Sequence, residues 1–288
     1  MHFESLEDLT RRVRRLGDGP VLMLLCEDAT EVESSLRHHL SAGFAHVVLA
    51  APPGVALPRP ADERTHVVPL ATRPDDLAAT CVNALIAGRP DGAWTGYAYN
   101  AEYLFHPFAE TRRVGEALAF AAEERRDAIL CFVVDLYGAR LDAGAVGIDP
   151  AEAWLDETGY FALARHDPAT GHPRERQLDF HGGLRWRYEE HVPVDRRRID
   201  RVALFRSRPG LRLRPDHTLS VEEMNTYQCP WHHSLTACIA SFRAAKALAT
   251  NPGSRAEISR FQWDGSVRFE WRAQQLMDLG LMEPGQWF

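Results

Sequence analysis

The sequence lacks several features that would assign it to a familiar class. No apolar stretch approaches 18 uninterrupted residues, and the opening "MHFESLEDLTRRVRR" has no apolar signal core. We therefore expect neither a membrane span nor a secretion signal, while peripheral membrane contact stays open. The first predicted strand runs into "LLCEDAT" without a G-x-G-x-x-G turn, which argues against a dinucleotide oxidoreductase. The chain also contains no internal repeat and no low-complexity segment.

Cysteines are few, and the sequence has no net positive charge. The five cysteines lie far apart or in apolar runs, without the paired spacing of a structural zinc site, so we expect buried reduced thiols and a cytoplasmic protein. The formal net charge is −7 and the sequence pI is near 6.0, which leaves no net positive field for a nucleic acid. A ligand the size of a nucleotide remains compatible with the local arginine runs "RRVRR" and "DRRRIDR".

The chain does have enough apolar residues for a full core. It contains 288 residues, of which 45% are hydrophobic, and this suits one large domain or two small ones. In the first half, short apolar runs such as "GPVLMLLCED", "AHVVLAAPP", "GAWTGYAYN" and "DAILCFVVDLYG" alternate with segments of helical periodicity. This alternation predicts an α/β fold with a mainly parallel sheet flanked by helices.

The rhythm changes near residue 149. Residues 149–288 are predicted as a mixed α+β half that closes over residues 1–148, the two together forming one continuous domain. "IDRVALFRS" and "LRLRPDHTLS" are predicted as strands joined by the turn "RPG". "LTACIASFRAAKALAT" is predicted as one amphipathic helix that ends before "NPG".

Polar residues follow three of the predicted strands. They lie at residues 26–28, 100–102 and 135–137, and open α/β sheets bind ligands beyond the carboxyl ends of their strands. Carboxylates there accept hydrogen bonds from a base or ribose. A structural alternative is that Asp28 or Thr30 only caps the following helix.

The first strand and helix carry a resemblance to a known family. Glu27-Asp28-Ala29, His38-His39, Gly43-Phe44 and His46 follow, in order, the pattern "NEA…EW…HH…LGF…H" of bacterial family-2-like glycosyltransferases, with Glu-Asp replacing the family's Asn-Glu. The resemblance extends over about residues 20 to 250. It implies a GT-A type fold, in which Glu27 and Asp28 help to bind a nucleotide sugar.

The family's metal-binding motif, Asp-x-Asp-Glu-Phe-Leu, corresponds to "YNAEYL". Two alignments are open. Matching Glu102 to the glutamate of the motif places Tyr99 and Ala101 where the two aspartates belong, so that both metal ligands are missing. A shift of one residue instead gives Asn100 and Glu102 as a weakened pair, whose oxygens suit Mg²⁺ or Mn²⁺.

Three further segments match the family in order. "FVVDLYG" resembles a strand "LLDMYG", whose aspartate, here Asp135, implies a general base for the acceptor hydroxyl, although Asp135 can also simply bond to turn backbone. "HGGLRWR" resembles a Gly-Gly-x-Arg segment, in which Gly182 and Gly183 let the backbone approach a ligand. Arg185 is then expected to pair with the diphosphate.

The last matches concern basic residues. "IDRVALFRSRPGLRLRPDHTLS" resembles a family hairpin, with Arg201 replacing a lysine and His217 in the position of a histidine. "CPWHHSLTACIASFRAAKAL" resembles the closing segment and places His232 or His233 at a further histidine, a possible ligand for Mn²⁺ together with Glu102.

The resemblance implies a glycosyltransferase that moves a sugar from a nucleoside diphosphate to a glycan or a lipid-linked saccharide. A carboxylate deprotonates the acceptor in an inverting displacement, and a metal, arginine or histidine neutralises the leaving diphosphate. The alternative is a catalytically inactive protein of the same fold that binds a glycan or a protein partner, because "YNAEYL" lacks the aspartates.

Overall fold

A computed structural model describes residues 1–59, 62–139, 141, 146–227 and 233–287. The described strands are β1 (Val21–Leu25), β2 (His46–Ala51), β3 (Thr65–Pro69), β4 (Trp94–Tyr99), β5 (Glu102–Phe105), β6 (Ala128–Asp135), β7 (Tyr137–Gly138), β8 (Ala153–Asp156), β9 (Phe161–His166), β10 (Pro173–His181), β11 (Asp200–Arg206), β12 (Ala237–Ser241) and β13 (Ser266–Arg268). The described α-helices are α1 (Leu6–Arg12), α2 (Val32–Ala42), α3 (Leu77–Gly88), α4 (Val114–Glu123), α5 (Gly183–Arg187), α6 (Arg243–Thr250), α7 (Pro252–Glu257) and α8 (Ala273–Asp278). Short 3-10 helices cover Val13–Leu16, Glu189–His191, Val194–Arg196 and Glu222–Asn225.

Eight of the described strands form one sheet, in the order β3-β2-β1-β4-β11-β6-β12-β5. Four of its strand pairs are parallel, and the three that involve β11 or β5 are antiparallel. This mainly parallel sheet, flanked by helices, confirms the predicted α/β class.

The central strands are apolar along their whole length because both faces of the sheet are covered. Every residue of β1, "VLMLL", is buried, and β2 and β4 are buried except at their first residue. Strands of this kind read as continuous apolar runs without alternation. Helix α3 begins where the Asp76 side chain accepts a hydrogen bond from the Ala79 N–H, as an N-cap residue does.

The two predicted halves share this sheet. Strand β11 pairs with β4 on one side and β6 on the other, and β12 lies between β6 and β5. Two strands from residues 149–288 therefore complete a sheet whose other six strands come from residues 1–148.

The prediction of one helix over "LTACIASFRAAKALAT" is wrong. Its first part is β12, in which all five residues are buried, and only Arg243–Thr250 is helical. A short apolar run cannot be assigned to strand or helix by periodicity alone. The pairing of β12 with both β6 and β5 decides for the strand.

The predicted hairpin between "IDRVALFRS" and "LRLRPDHTLS" is also wrong in its second strand. Both edges of β11 are already paired, and residues 211–220 form only an isolated bridge between Leu213 and Leu219. The Asn83 side chain bonds to the N–H and C=O of Leu213, and Asn225 does the same for Leu219. These side chains replace the ladder of a second strand.

Strands β5, β8, β9, β10 and β13 were not predicted from the sequence, and the last four lie where the alternation of helix and strand ends. Strands β9 and β10 form a separate two-stranded hairpin, and β8 pairs with β7 and β13. Among the residues that the structure describes, no helix has both the length and the apolar character needed to cross a bilayer.

Candidate functional site

The chain segments that follow β1 and β4 meet at the carboxyl edge of the sheet. The Asn100 Oδ1 accepts a hydrogen bond from the Glu27 N–H at 2.8 Å, and the Asn100 Nδ2 donates to Asp28 Oδ1 at 2.8 Å and to the Thr30 carbonyl at 2.8 Å. Asn100 therefore connects the two strand ends, and all its polar atoms are used in doing so.

Glu102 is the first residue of β5 and follows directly after a turn of the backbone at Ala101. Ala101 adopts a φ of 60°, which turns the chain from β4 into β5. The Glu102 carboxylate binds Arg201 through two hydrogen bonds of 2.7 and 3.0 Å, and it also accepts bonds from the Tyr99 N–H and the Ser241 hydroxyl. Both partners are buried, with 0% and 3% of their side chains exposed.

This environment fixes the charges of both residues. Burial alone raises a carboxyl pKa, but the charge and hydrogen bonds of Arg201 outweigh it and hold the pKa of Glu102 far below its usual value. The same pairing raises the pKa of Arg201 despite its burial. Glu102 is therefore a carboxylate whose two oxygens are already occupied.

The donor set does not fit the metal ion that the resemblance implies. Tyr99 and Ala101 offer no carboxylate, and the alternative pair of Asn100 and Glu102 is occupied by the bonds described above. In the described part of the chain, no group of three or more His, Cys, Asp or Glu side chains is arranged to hold a metal. Arg201 supplies positive charge next to Glu102 instead.

Two further basic residues reach the same edge from helix α6. Arg243 forms two hydrogen bonds of 2.9 Å with the Glu27 carboxylate, and its guanidinium lies 3.5 Å from the centre of the Tyr99 ring. Lys246, the only lysine in the sequence, lies 2.6 Å from Asp28 Oδ2. These two basic residues are three positions apart, so they project from one face of the helix.

We call this set of residues the strand-end cluster. Its members are Glu27, Asp28, Tyr99, Asn100, Glu102, Arg201, Ser241, Arg243 and Lys246. The cluster has a buried and an exposed layer: 23% of the Glu27 side chain and 22% of the Arg243 side chain are exposed, with 43% for Asp28 and 15% for Lys246. A ligand that approaches this edge therefore contacts the Glu27–Arg243 and Asp28–Lys246 pairs before it contacts Glu102 and Arg201.

The exposed carboxylates are ionised. Burial raises the pKa of Glu27, but the charge of Arg243 outweighs it, and the pKa is lowered overall. For Asp28, the hydrogen bond from Lys246 likewise outweighs burial and lowers the pKa. The charges of three carboxylates and three basic side chains thus cancel within the cluster. Each of the two exposed carboxylates lies where the anionic group of a ligand could bind instead.

Asp135 ends β6 beside this cluster. Through β12 it is aligned with Ser241, which is aligned in turn with Glu102. Its Oδ2 accepts a hydrogen bond from the Arg185 N–H at 3.3 Å, while its Oδ1 lies 3.3 Å from Arg185 Nε and has no hydrogen bond in the described structure. Burial, only partly opposed by the charge of Arg185, raises the pKa of Asp135 to about 6.

Gly182 and Gly183 make the turn that covers Asp135. Both have positive φ values, 154° and 61°. A Cβ on Gly183 would lie 3.1 Å from Asp135 Oδ2, and a Cβ on Gly182 would lie 2.2 Å from the Tyr160 ring. The glycines allow close approach as predicted, but what approaches is the protein's own aspartate and tyrosine.

The histidines predicted to belong to the site lie in different parts of the structure. His217 stacks on Tyr97, whose hydroxyl lies 3.0 Å from its Nδ1, and burial together with the nearby Arg201 lowers its pKa. His233 precedes β12, which runs parallel to β6, and it lies near Ala128 at the start of β6. Since β6 is eight residues long, His233 is about 20 Å from Asp135 and cannot share a metal with Glu102. His232 lies outside the described residues.

Arg243, Lys246 and Ser241 belong to the site but were not predicted from the sequence. The available signal was the order of residues in "ACIASFRAAK": a buried apolar run, then a polar residue, then two basic residues one helical turn apart. It could be interpreted only by assigning the apolar run to a strand, because the ends of parallel strands meet at one edge.

Comparisons with family models, with curated proteins and with solved structures found no significant match for this chain.

Proposed function

We propose that this protein binds a nucleoside diphosphate sugar at the strand-end cluster without a metal ion and transfers the sugar to a saccharide hydroxyl. The observation that carries the proposal is the pair of partly exposed basic residues, Arg243 and Lys246, at the edge where open α/β sheets bind ligands. A diphosphate would replace the carboxylates of Glu27 and Asp28 on these two side chains. The resemblance of the sequence to family-2-like glycosyltransferases supplies the reaction class.

In the proposed reaction, Arg243 and Lys246 stabilise the charge that develops on the leaving diphosphate, as preorganised cations do. Asp135 accepts the proton of the acceptor hydroxyl. Its raised pKa of about 6 suits a base that works near neutral pH. Since Asp135 is only 1% exposed, the turn of Gly182 and Gly183 must move before an acceptor reaches it.

Nucleotide binding is the first test. UDP, GDP and their sugars should raise the thermal unfolding temperature equally with EDTA and with Mn²⁺, since a ligand at a hundred times its Kd stabilises the folded state by about 2.7 kcal/mol. Lys246→Gln should weaken this binding by about tenfold or more. Glu27→Gln should strengthen it, because a competing carboxylate is removed from Arg243. Arg268→Gln, a change in an exposed ion pair, is the matched control.

The single lysine gives a second readout. Reductive methylation with ¹³C-formaldehyde labels Lys246 and the chain's amino terminus and leaves their charges in place. A shift of the Lys246 methyl signal on addition of UDP or GDP places the nucleotide at the cluster. If no nucleotide raises the unfolding temperature or shifts this signal at about millimolar concentration, the proposal is wrong.

A second function is favoured by a different observation. Glu102 is fully paired with Arg201, and Asp135 is covered by a turn of the chain, which suits a non-catalytic protein of this fold that binds a glycan or a protein partner. This function predicts no sugar-nucleotide hydrolysis and no nucleotide binding.

A further inference from the structure

Exposed apolar side chains cluster where the hairpin of β9 and β10 meets helix α5. Phe161, Leu163 and Trp186 have 41%, 55% and 43% of their surface exposed. We call these three residues the hairpin platform. Contiguous exposed apolar surface on a folded protein marks a site of interaction more often than scattered apolar residues do.

The aromatic rings of the platform form a corner. The Phe161 ring stacks on His181 at 5.2 Å, and it meets Trp186 at 6.1 Å with 76° between the ring planes. Trp186 packs over Gly159, where a Cβ would lie 2.9 Å from the indole. These contacts hold the Phe161 and Trp186 rings nearly perpendicular to each other, while 41% and 43% of the two residues stay exposed to a ligand.

Polar groups border this corner. Phe161 is aligned with His181 across the hairpin, and Leu163 with Asp179, so these four side chains share one face. The Asp179 carboxylate is held by Arg165 Nε at 2.6 Å and faces Arg198 Nε at 3.2 Å. An imidazole and a fixed carboxylate therefore lie beside the apolar surface and can hydrogen-bond to a ligand.

The platform is continuous with the candidate site. Helix α5 begins at Gly183, which lies against Asp135, and Arg185 bonds to the same aspartate. Trp186 is the next residue of that helix. A ligand on the platform therefore lies next to the turn that covers Asp135.

We propose that the hairpin platform binds a saccharide, with a pyranose ring against Phe161 and Trp186 and its hydroxyls directed to His181 and Asp179. A pyranose is rigid, has an apolar C–H face and carries hydroxyls on its rim, which matches an aromatic corner with a polar border. The net charge of −7 disfavours an anionic lipid surface as the occupant. As an acceptor subsite, this platform depends on the proposed transferase function, whereas saccharide binding itself can be measured without a nucleotide.

The test is calorimetric titration of the full chain with malto-, cello-, laminari- and chitohexaose, each with and without UDP or GDP. At least one of these saccharides should bind with a Kd of about 1 mM or lower. Phe161→Ala and Trp186→Ala should each weaken this binding about tenfold or more, and Trp186→Phe should retain most of it. Val194→Ser, a change at another exposed apolar residue, should leave it unchanged. Leu163→Ser tests the platform without removing a packed ring.

The inference is wrong if none of the four saccharides binds at about 10 mM. It is also wrong if a saccharide binds but all three platform variants preserve that binding. Self-association, or binding to phosphatidylglycerol vesicles, that is lost in Trp186→Ala would likewise overturn it. The nucleotide readout separates this inference from the proposed function. Nucleotide binding without saccharide binding overturns the platform alone. Saccharide binding without nucleotide binding leaves the platform in place and supports the non-catalytic function.

Discussion

At the scale of single residues, the main finding is that both oxygens of the Glu102 carboxylate are paired with Arg201. The sequence identified Glu102 as a residue of interest because it follows β4 and resembles a motif. It could not identify the partner, which lies 99 positions further along the chain and reaches Glu102 only because β11 lies between β4 and β6. Such pairings depend on strand order, which local patterns do not encode.

The Glu102 and Arg201 pair should be important for stability. Glu102→Gln leaves the Arg201 guanidinium buried without a charged partner, and we expect a loss of about 3 to 5 kcal/mol in the free energy of unfolding. Urea denaturation measures this loss. Glu152→Gln, in the exposed pair of Glu152 with Arg268, should cost much less. Equal losses in the two variants would contradict the role of burial.

Asp135 should make stability depend on pH. Its folded-state pKa is raised from 3.8 to about 6, so the folded protein binds this proton more tightly than the unfolded chain. The protonated side chain therefore stabilises the fold at pH below about 4, and this contribution is lost as pH rises through about 6. Asp135→Asn lacks this dependence.

Relative to the wild type, the stability of Asp135→Asn should rise by about 2 kcal/mol between the two pKa values. Urea denaturation of both proteins at several pH values across this interval gives the difference. Asp195→Asn, at an exposed aspartate, controls for the substitution itself. A difference between Asp135→Asn and wild type that stays constant with pH would show that Asp135 is ionised to the same extent in both states.

At the scale of elements, the strands and helices that were predicted correctly are those with a distinct pattern of apolar residues. Up to β6, the alternating strands and helices match their predicted segments except for the short β5, because buried parallel strands and capped helices have distinct patterns. Strand β12 was assigned to a helix because "ACIAS" is short, apolar and followed directly by helical residues. The basic residues that follow it, Arg243 and Lys246, were overlooked for the same reason.

The turn between β10 and α5 depends on its second glycine. Gly183→Ala adds strain at a φ of 61° and brings a Cβ to 3.1 Å from Asp135 Oδ2. We expect a loss of about 2 kcal/mol or more. Gly210→Ala has a similar φ of 77° but no atom within 4 Å of the added Cβ, so it should cost only about 1 kcal/mol. Thermal or urea unfolding compares the two, and a smaller loss for Gly183→Ala would argue against the contact.

At the scale of the whole molecule, the two halves form one sheet. The prediction of two halves, 1–148 and 149–288, followed the change in sequence pattern near residue 149. The pattern gives no sign that β11 and β12 return to the middle of the first sheet, since an inserted strand looks like any other apolar run.

A fragment of residues 1–148 should not fold alone. It lacks β11 and β12, so β4, β5 and β6 would have unpaired edges in place of their ladders. Circular dichroism and urea titration should show no cooperative transition for the 1–148 fragment and one transition for the full chain. A folded 1–148 fragment with a cooperative transition would show that the first half is an independent domain.

The position of β11 also affects how the chain folds during synthesis. Strand β4 ends at Tyr99 and its partner β11 begins at Asp200. About 100 residues must therefore be synthesised before the two strands can pair, and this synthesis takes about 5 to 20 s at common elongation rates. During that interval the edges of β4 and β6 remain open on a nascent chain rich in valine, leucine and alanine. Production of this protein should therefore depend on chaperones that bind unpaired strands.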